Sequence, residues 1–237
     1  MLTIANIAIN TIMQLISHEV IEPDSTPLYS VIWIHGLGGQ GKNFRPMLSQ
    51  LKLDAPARFI MPNASSMHVT FKNNQYMPSW YNVISINGEN RNIDKLAFDN
   101  SISSLEDLVA NEARIVGYEN IVLAGFSQGG AMALHLGLKI NPQVAGIIAI
   151  STYLPMASEL EFILGYHKKR TQICCMHGTK DNIVDITQGR FIYDFLQIYG
   201  YSVKWSSYET AHMISNQQIK DIGNWLNKLF SNSCNTI

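Results

Sequence analysis

The sequence is sparing with cysteine: three in 237 residues, with Cys174 and Cys175 adjacent inside the apolar run QICCM. Neighbouring side chains on a strand point to opposite faces, so this pair is not expected to bridge, and an odd total gives no disulfide framework. No CxxC and no His/Cys spacing of a zinc site occurs, so no metal ligand is expected. Such usage fits a reducing compartment, and a cytoplasmic protein is the expectation. Charge of one sign is also lacking. The 17 Lys+Arg against 18 Asp+Glu leave −1, which excludes partners gathered by bulk electrostatics, nucleic acid and anionic membrane surfaces among them. No apolar run approaches the roughly 18 to 20 residues that cross a bilayer, so no integral membrane association is expected. The opening MLTIANIAINTIMQLIS is apolar, but it has no basic n-region and is broken by Asn6, Asn10 and Gln14. It reads as non-secretory. Met13 is a candidate alternative start. Residues 1–12 are expected to be a weakly ordered extension, and 13–237 one domain, since single α/β domains commonly reach about 250 residues around one core.

What is present is a regular alternation. Short β-branched and aromatic runs occur at 29–34 (YSVIWI), 58–61 (RFIM), 120–124 (NIVLA), 144–150 (VAGIIAI), 172–176 (QICCM) and 203–208 (VKWSSY). Most are continuously apolar, as strands buried on both faces are, and such strands belong to parallel sheets covered by helices. Helical periodicity lies between them: Leu96, Ile102, Leu105, Leu108, Val109 and Val116 before Gly117; residues 128–140; then Ile192, Phe195, Leu196 and Tyr199 before Gly200. A final helix, with Ser215 as N-cap, carries Ile219, Ile222, Leu226 and Leu229 on one face. The pattern predicts a doubly wound, mostly parallel α/β fold with right-handed crossovers and helices on both faces of the sheet. In that fold, chemistry gathers beyond the carboxyl ends of the strands.

One strand-to-helix junction carries Gly125-Phe126-Ser127-Gln128-Gly129. Alone the G-x-S-x-G pattern is weak, since about one chain in ten of this composition would hold it by chance, but a serine between strand and helix is the context in which it acts as a nucleophile. Glycines two residues either side let flanking backbones pass, and the helix N-terminus favours developing negative charge. The bland alternative is a glycine turn that merely caps the helix. A serine needs a base, and in this fold the acid and then the histidine follow it. Of the seven histidines, His135 lies two turns along the helix, His167 sits in the polar HKKR stretch, and His177 closes a strand. His212, in the loop before the last helix, is the best candidate. Asp181 and Asp185 both follow QICCM; Asp181 is nearer the strand end and is favoured as the acid that orients the imidazole, with Asp185 as an N-cap. For the oxyanion, one donor is expected at the Gln128 N–H, and a second from the loop His35-Gly36-Leu37-Gly38-Gly39. That loop matches neither G-x-G-x-x-G nor a GK[ST] ending, which argues against a nucleotide site.

Together WIHGLGG, MPNASS, MPSWYN, GFSQGG, STYLP, HGTKDNIV and His212 resemble the carboxylesterase/acyl-protein thioesterase family of α/β-hydrolases, also called the phospholipase/carboxylesterase family, with the bacterial esterase branch the closer match. The resemblance runs from about Val31 to the last helix. It implies the α/β-hydrolase fold, Ser127 as nucleophile, Asp181 as acid, His212 as base, and oxyanion donors at the Leu37 and Gln128 backbones. It also implies hydrolysis of carboxylic esters, S-acyl thioesters or lysophospholipids, acylated proteins among the partners, without metal or organic cofactor. Gly39 stands where the family often has an acidic residue, and Asn82 where an aspartate is common; neither touches the triad. A monomer or weak homodimer is expected. The segments 67–81 and 153–163 read as long apolar-rich loops, in which Phe71, Met77, Trp80, Tyr81 and Leu154 are candidate walls of an acyl groove; plain core cover is as good a reading for any one of them. A hydrolase scaffold that only binds acylated ligands is the rival from another class. Activity through a histidine base is expected to fall as acid protonates it.

Overall fold

The computed structural model describes residues 16–88, 90–164 and 170–233; the expected extension at 1–12 and His167 lie outside them. In chain order the elements are β1 (His18–Ile21), β2 (Tyr29–Ile34), α1 (Arg45–Leu48), β3 (Ala57–Pro62), β4 (Ser66–Val69), β5 (Gln75–Pro78), β6 (Val83–Asn87) and β7 (Asn90–Ile93). They continue with α2 (Lys95–Val116), β8 (Ile121–Phe126), α3 (Gln128–Lys139), β9 (Gly146–Ile150), α4 (Ala157–Leu164), β10 (Gln172–Gly178), α5 (Ile186–Ile198), β11 (Val203–Tyr208) and α6 (Asn216–Ser233).

Seven strands form one sheet in the order β1-β3-β2-β8-β9-β10-β11. Every neighbouring pair is parallel except β1 with β3, where His18 faces Pro62 and Ile21 faces Phe59. All six residues of β2 are buried, which is why its sequence shows no polar alternation. Side chains alternate between two apolar layers. Ile32, Ile34, Leu123, Ile147 and Cys175 face α2, α3 and α5, while Val31, Trp33, Val122, Ile148 and Cys174 face α1 and α6. Cys174 and Cys175 therefore sit on opposite faces, both as free thiols, as the period of two requires. Each fully buried Val, Leu, Ile or Phe here is worth roughly 1.5–3 kcal/mol relative to exposure.

The helix ends follow local chemistry. Gly117, with φ +83°, closes α2. Asp185 caps α5 by accepting the Thr187 N–H. Ser215 Oγ accepts from the Gln218 N–H while Gln218 Oε1 accepts from the Ser215 N–H, a reciprocal cap on α6. Two features depart from the pattern read in the sequence. The segment at 67–81 is largely a two-stranded hairpin, β4 with β5, and a second hairpin, β6 with β7, follows it. The other segment taken as a loop, at 153–163, is mostly α4. No helix of the described residues is long and apolar enough to cross a membrane.

Candidate active site

Ser127 alone makes the turn between β8 and α3, with φ +55° and ψ −121°. A positive φ costs a non-glycine residue on the order of 1–2 kcal/mol, so the surroundings must hold it. They do so through both backbone groups. The Ser127 N–H donates to Ile150 O at 2.9 Å, and its carbonyl accepts from Gly130 N (2.9 Å), Ala131 N (3.2 Å) and Thr152 Oγ1 (2.6 Å). The flanking glycines are required by crossing backbones. A Cβ on Gly125 would collide with Gly129 O, and one on Gly129 would run into Ile34 O and His35 O.

The loops after β10 and β11 bring the other two groups to this turn. His212 Nε2 lies 3.0 Å from Ser127 Oγ, and His212 Nδ1 lies 2.8 Å from Asp181 Oδ2. An ionised carboxylate only accepts, so Nδ1 carries the proton and Nε2 is left to accept from the serine hydroxyl. The Phe126 ring packs 4.7 Å from that of His212, centroid to centroid. The second oxygen of Asp181, Oδ1, accepts the N–H groups of Ile183 and Val184, each at 2.9 Å. Burial alone would raise the Asp181 pKa; the bonds from Val184, His212 and Ile183 outweigh it and hold the carboxyl below its ordinary value. Asp185, the competing acid in the sequence, is engaged by Thr187.

The HGLGG loop reaches the serine from β2. A Cβ on Gly36 would stand 3.2 Å from both Ser127 Cβ and Phe126 O, so glycine permits this approach. His35, fully buried, fixes the loop: its Nε2 accepts from Ala64 N at 3.0 Å, and its Nδ1 donates to Gly36 O at 2.7 Å. That is a neutral tautomer, and burial lowers the His35 pKa despite the Gly36 bond. The Trp80 indole N–H donates to His35 O, and the Gly38 N–H to Pro78 O, each at 2.8 Å. Gln128, first residue of α3, has no intrahelical acceptor for its backbone N–H. Its side chain ties the helix start to the segment after β5: Oε1 accepts from Trp80 N (3.0 Å) and Nε2 donates to Tyr81 O (2.8 Å).

A family model described as phospholipase/carboxylesterase matches residues 16–230. The chain belongs to the phospholipase/carboxylesterase family. Acyl-protein thioesterase 1 of Cryptococcus neoformans var. neoformans serotype D is 30% identical over 229 residues, 89% of this chain and 96% of that protein. Acyl-protein thioesterase 1 of Neurospora crassa is 35% identical over 190 residues, 76% of this chain and 77% of the relative. Among solved structures, Zea mays acyl-protein thioesterase 2 superposes with a TM-score of 0.81 at 22% identity, covering 90% of this chain and 99% of that one. The carboxylesterase of Bacillus cereus does so at 0.72 and 16%, covering 92% and 97%. At these identities the two structures establish the α/β-hydrolase fold, and family membership makes the chain a hydrolase.

Within this phospholipase/carboxylesterase fold, several of the candidate groove residues are buried. Trp80 is 1% exposed, Tyr81 0% and Leu154 8%, all in the core rather than on an open wall. The polar atoms of the two aromatics have internal partners: the Trp80 indole bonds His35 O, and the Tyr81 and Tyr153 hydroxyls meet at 2.7 Å, while Leu154 packs in the apolar core. Phe71 is partly buried against the same core. Met77, half-buried, lies with its sulfur near Gly38 of the HGLGG loop. Asn82, one of the two family departures, accepts from Thr70 N and donates to Thr70 Oγ1, both at 2.9 Å, and so ties the start of β6 to the end of β4.

Two other histidines weighed as the base, His135 and His177, are engaged in structure. His135 is buried and donates from Nε2 to Pro155 O, and His177 donates from Nε2 to Val184 O at 2.8 Å, behind Asp181. Burial lowers the pKa of both. Sequence reasoning missed the Gln128 side chain, His35 and Thr152 as organisers of the site. Only the segments that contain them, GFSQGG, WIHGLGG and STYLP, gave any signal. Among the described residues no cluster of His, Cys, Asp or Glu is placed to hold a metal ion.

Proposed function

We propose that the protein hydrolyses carboxylic esters and S-acyl thioesters through an acyl-serine at Ser127. His212 takes the Ser127 proton as Oγ attacks the acyl carbonyl, Asp181 stabilises the resulting imidazolium, and the N–H groups of Leu37 and Gln128 receive the oxyanion. The C–O or C–S bond then breaks, and His212 delivers the proton to the departing alcohol or thiol. In the second half, His212 deprotonates a water that attacks the acyl-serine; the carboxylic acid leaves and Ser127 regains its proton. The observation that carries this reading is the unbroken chain from Asp181 through His212 to Ser127, ending at a helix N-terminus.

Relatives titled acyl-protein thioesterase support acylated proteins as substrates, and the family's description supports lysophospholipids as a second class. Two buried free cysteines suit work in a reducing cytosol. Turnover of p-nitrophenyl butyrate, with and without Ser127→Ala, tests the core of the proposal. Ser127→Ala should fall to background and lose labelling by a fluorophosphonate probe; wild-type turnover in that variant would overturn the assignment. A catalytically silent acyl binder would leave even the wild-type serine unlabelled.

A further inference from the structure

Thr152, just past the end of β9, is 2% exposed and takes no part in the triad. Its hydroxyl lies 2.6 Å from Ser127 O and only 3.3 Å from its other acceptor, Tyr153 O. A hydroxyl has one proton to give, and the shorter bond takes it. The side chain has little freedom to do otherwise, because it is pressed against the first turn of α3: a Cβ on Gly130 would stand 2.7–2.9 Å from Thr152 Cβ, Cγ2 and Oγ1.

What that hydroxyl fixes is a peptide plane. The Ser127 carbonyl and the Gln128 N–H belong to one planar unit, which is trans, so the N–H points opposite to the C=O. A donor that holds the carbonyl from one side thereby aims the N–H toward the other. That N–H is the oxyanion donor of the proposed reaction. The two helical N–H groups of Gly130 and Ala131 reach the same carbonyl along the axis of α3. Thr152 is the contact from outside the helix, and it ties the plane to the end of β9. Hydrogen bonds in a chain polarise one another, so a donor on the carbonyl also strengthens the N–H on its far side.

We infer that Thr152 is a positioning residue for the oxyanion hole: it orients and polarises the Gln128 N–H through the Ser127–Gln128 peptide plane. The inference rests on the acyl-serine reading. A Thr152→Val exchange keeps the branched shape and removes only the hydroxyl, and Ser127 O retains its two helical donors, so no buried carbonyl is orphaned. Losing a whole oxyanion donor costs about 10²–10³-fold in kcat; losing the support of one should cost a part of that, about tenfold.

Steady-state kinetics of wild type, Thr152→Val and Thr152→Ser on p-nitrophenyl butyrate, below the melting midpoint of all three, test this. The expected result is a kcat about tenfold lower in Thr152→Val, KM within twofold, and recovery to within threefold of wild type in Thr152→Ser, which restores the hydroxyl. A Thr152→Val kcat within threefold of wild type, while turnover still requires Ser127, overturns this inference and leaves the acyl-serine reading standing. A loss that Thr152→Ser does not restore, or one that falls on KM, also overturns it, because packing rather than the hydroxyl would then be responsible. Turnover that survives Ser127→Ala overturns both.

Discussion

Acid should destabilise this protein through a histidine that has no part in its chemistry. His135 sits on α3 with its ring buried, edge-on to Phe98 at 4.9 Å, and Nε2 donates to Pro155 O. Among the described residues Nδ1 has no hydrogen-bond partner, so a proton added there would be a buried charge without a hydrogen bond. Burial lowers the His135 pKa from 6.5 to about 4, the Pro155 bond opposing it only in part. Because the folded value lies below the unfolded one, the unfolded chain binds the proton first as pH falls. The contribution of His135 is therefore intact above pH 6.5 and is lost progressively down to about pH 4. At 1.36 kcal/mol per pKa unit the full window is worth about 3 kcal/mol, of which about 2 kcal/mol is lost between pH 7 and 4.5.

His135→Gln isolates this contribution, since an amide nitrogen can still donate to Pro155 O but does not titrate. His35 and His177, whose burial lowers their pKa in the same direction, are common to both proteins and cancel in the comparison. Urea unfolding of wild type and variant at pH 7.0, 6.0, 5.0 and 4.5 gives the difference in stability at each pH. Wild type should lose about 2 kcal/mol more than His135→Gln across that range. A difference that stays constant with pH would refute the argument, because it would mean that His135 takes up its proton equally readily folded and unfolded.

Other perturbations read separate parts of the structure. Asp181→Asn should leave the fold intact but reduce kcat on an ester substrate by about 10⁴, because the amide presents the wrong hydrogen-bond partner to His212 Nδ1; a drop of less than tenfold would remove Asp181 from the mechanism. Gly129→Ala should fail to give soluble folded protein, or melt many degrees lower, since its Cβ meets the carbonyls of Ile34 and His35; a normal circular-dichroism melt would contradict the backbone crossing. Tyr81→Phe leaves the buried Tyr153 hydroxyl without that partner and should cost about 1–2 kcal/mol in urea unfolding, with ester turnover changed less than twofold.

The sequence carried the fold wherever a rule is local or periodic. Short β-branched and aromatic runs, continuously apolar in most cases but not in the edge strand β11, marked the parallel strands of the sheet, and the caps at Asp185 and Ser215 lie where their residue types suggested. It said nothing of β1, where only four residues of mixed character, HEVI, pair with β3. Nor did it reveal the hairpins β4–β5 and β6–β7, whose strands are four or five residues long and too short to show a period. The three side chains at strand ends were legible because topology confines them: a serine on a strand-to-helix turn needs an acid and a histidine in that chain order, and few residues qualify. The residues that steady them were not, because the bonds of Gln128 to Trp80 and Tyr81, of His35 to Ala64, and of Thr152 to Ser127 join segments 25 to 48 residues apart. Trp80 and Tyr81 show the same limit from the other side. Large aromatics near a strand end suit a groove or a core equally well, and it is the acceptors awaiting their N–H and O–H groups, His35 O and the Tyr153 hydroxyl, that draw them inward. Those acceptors lie on other elements of the fold, so the choice between groove and core belongs to tertiary structure.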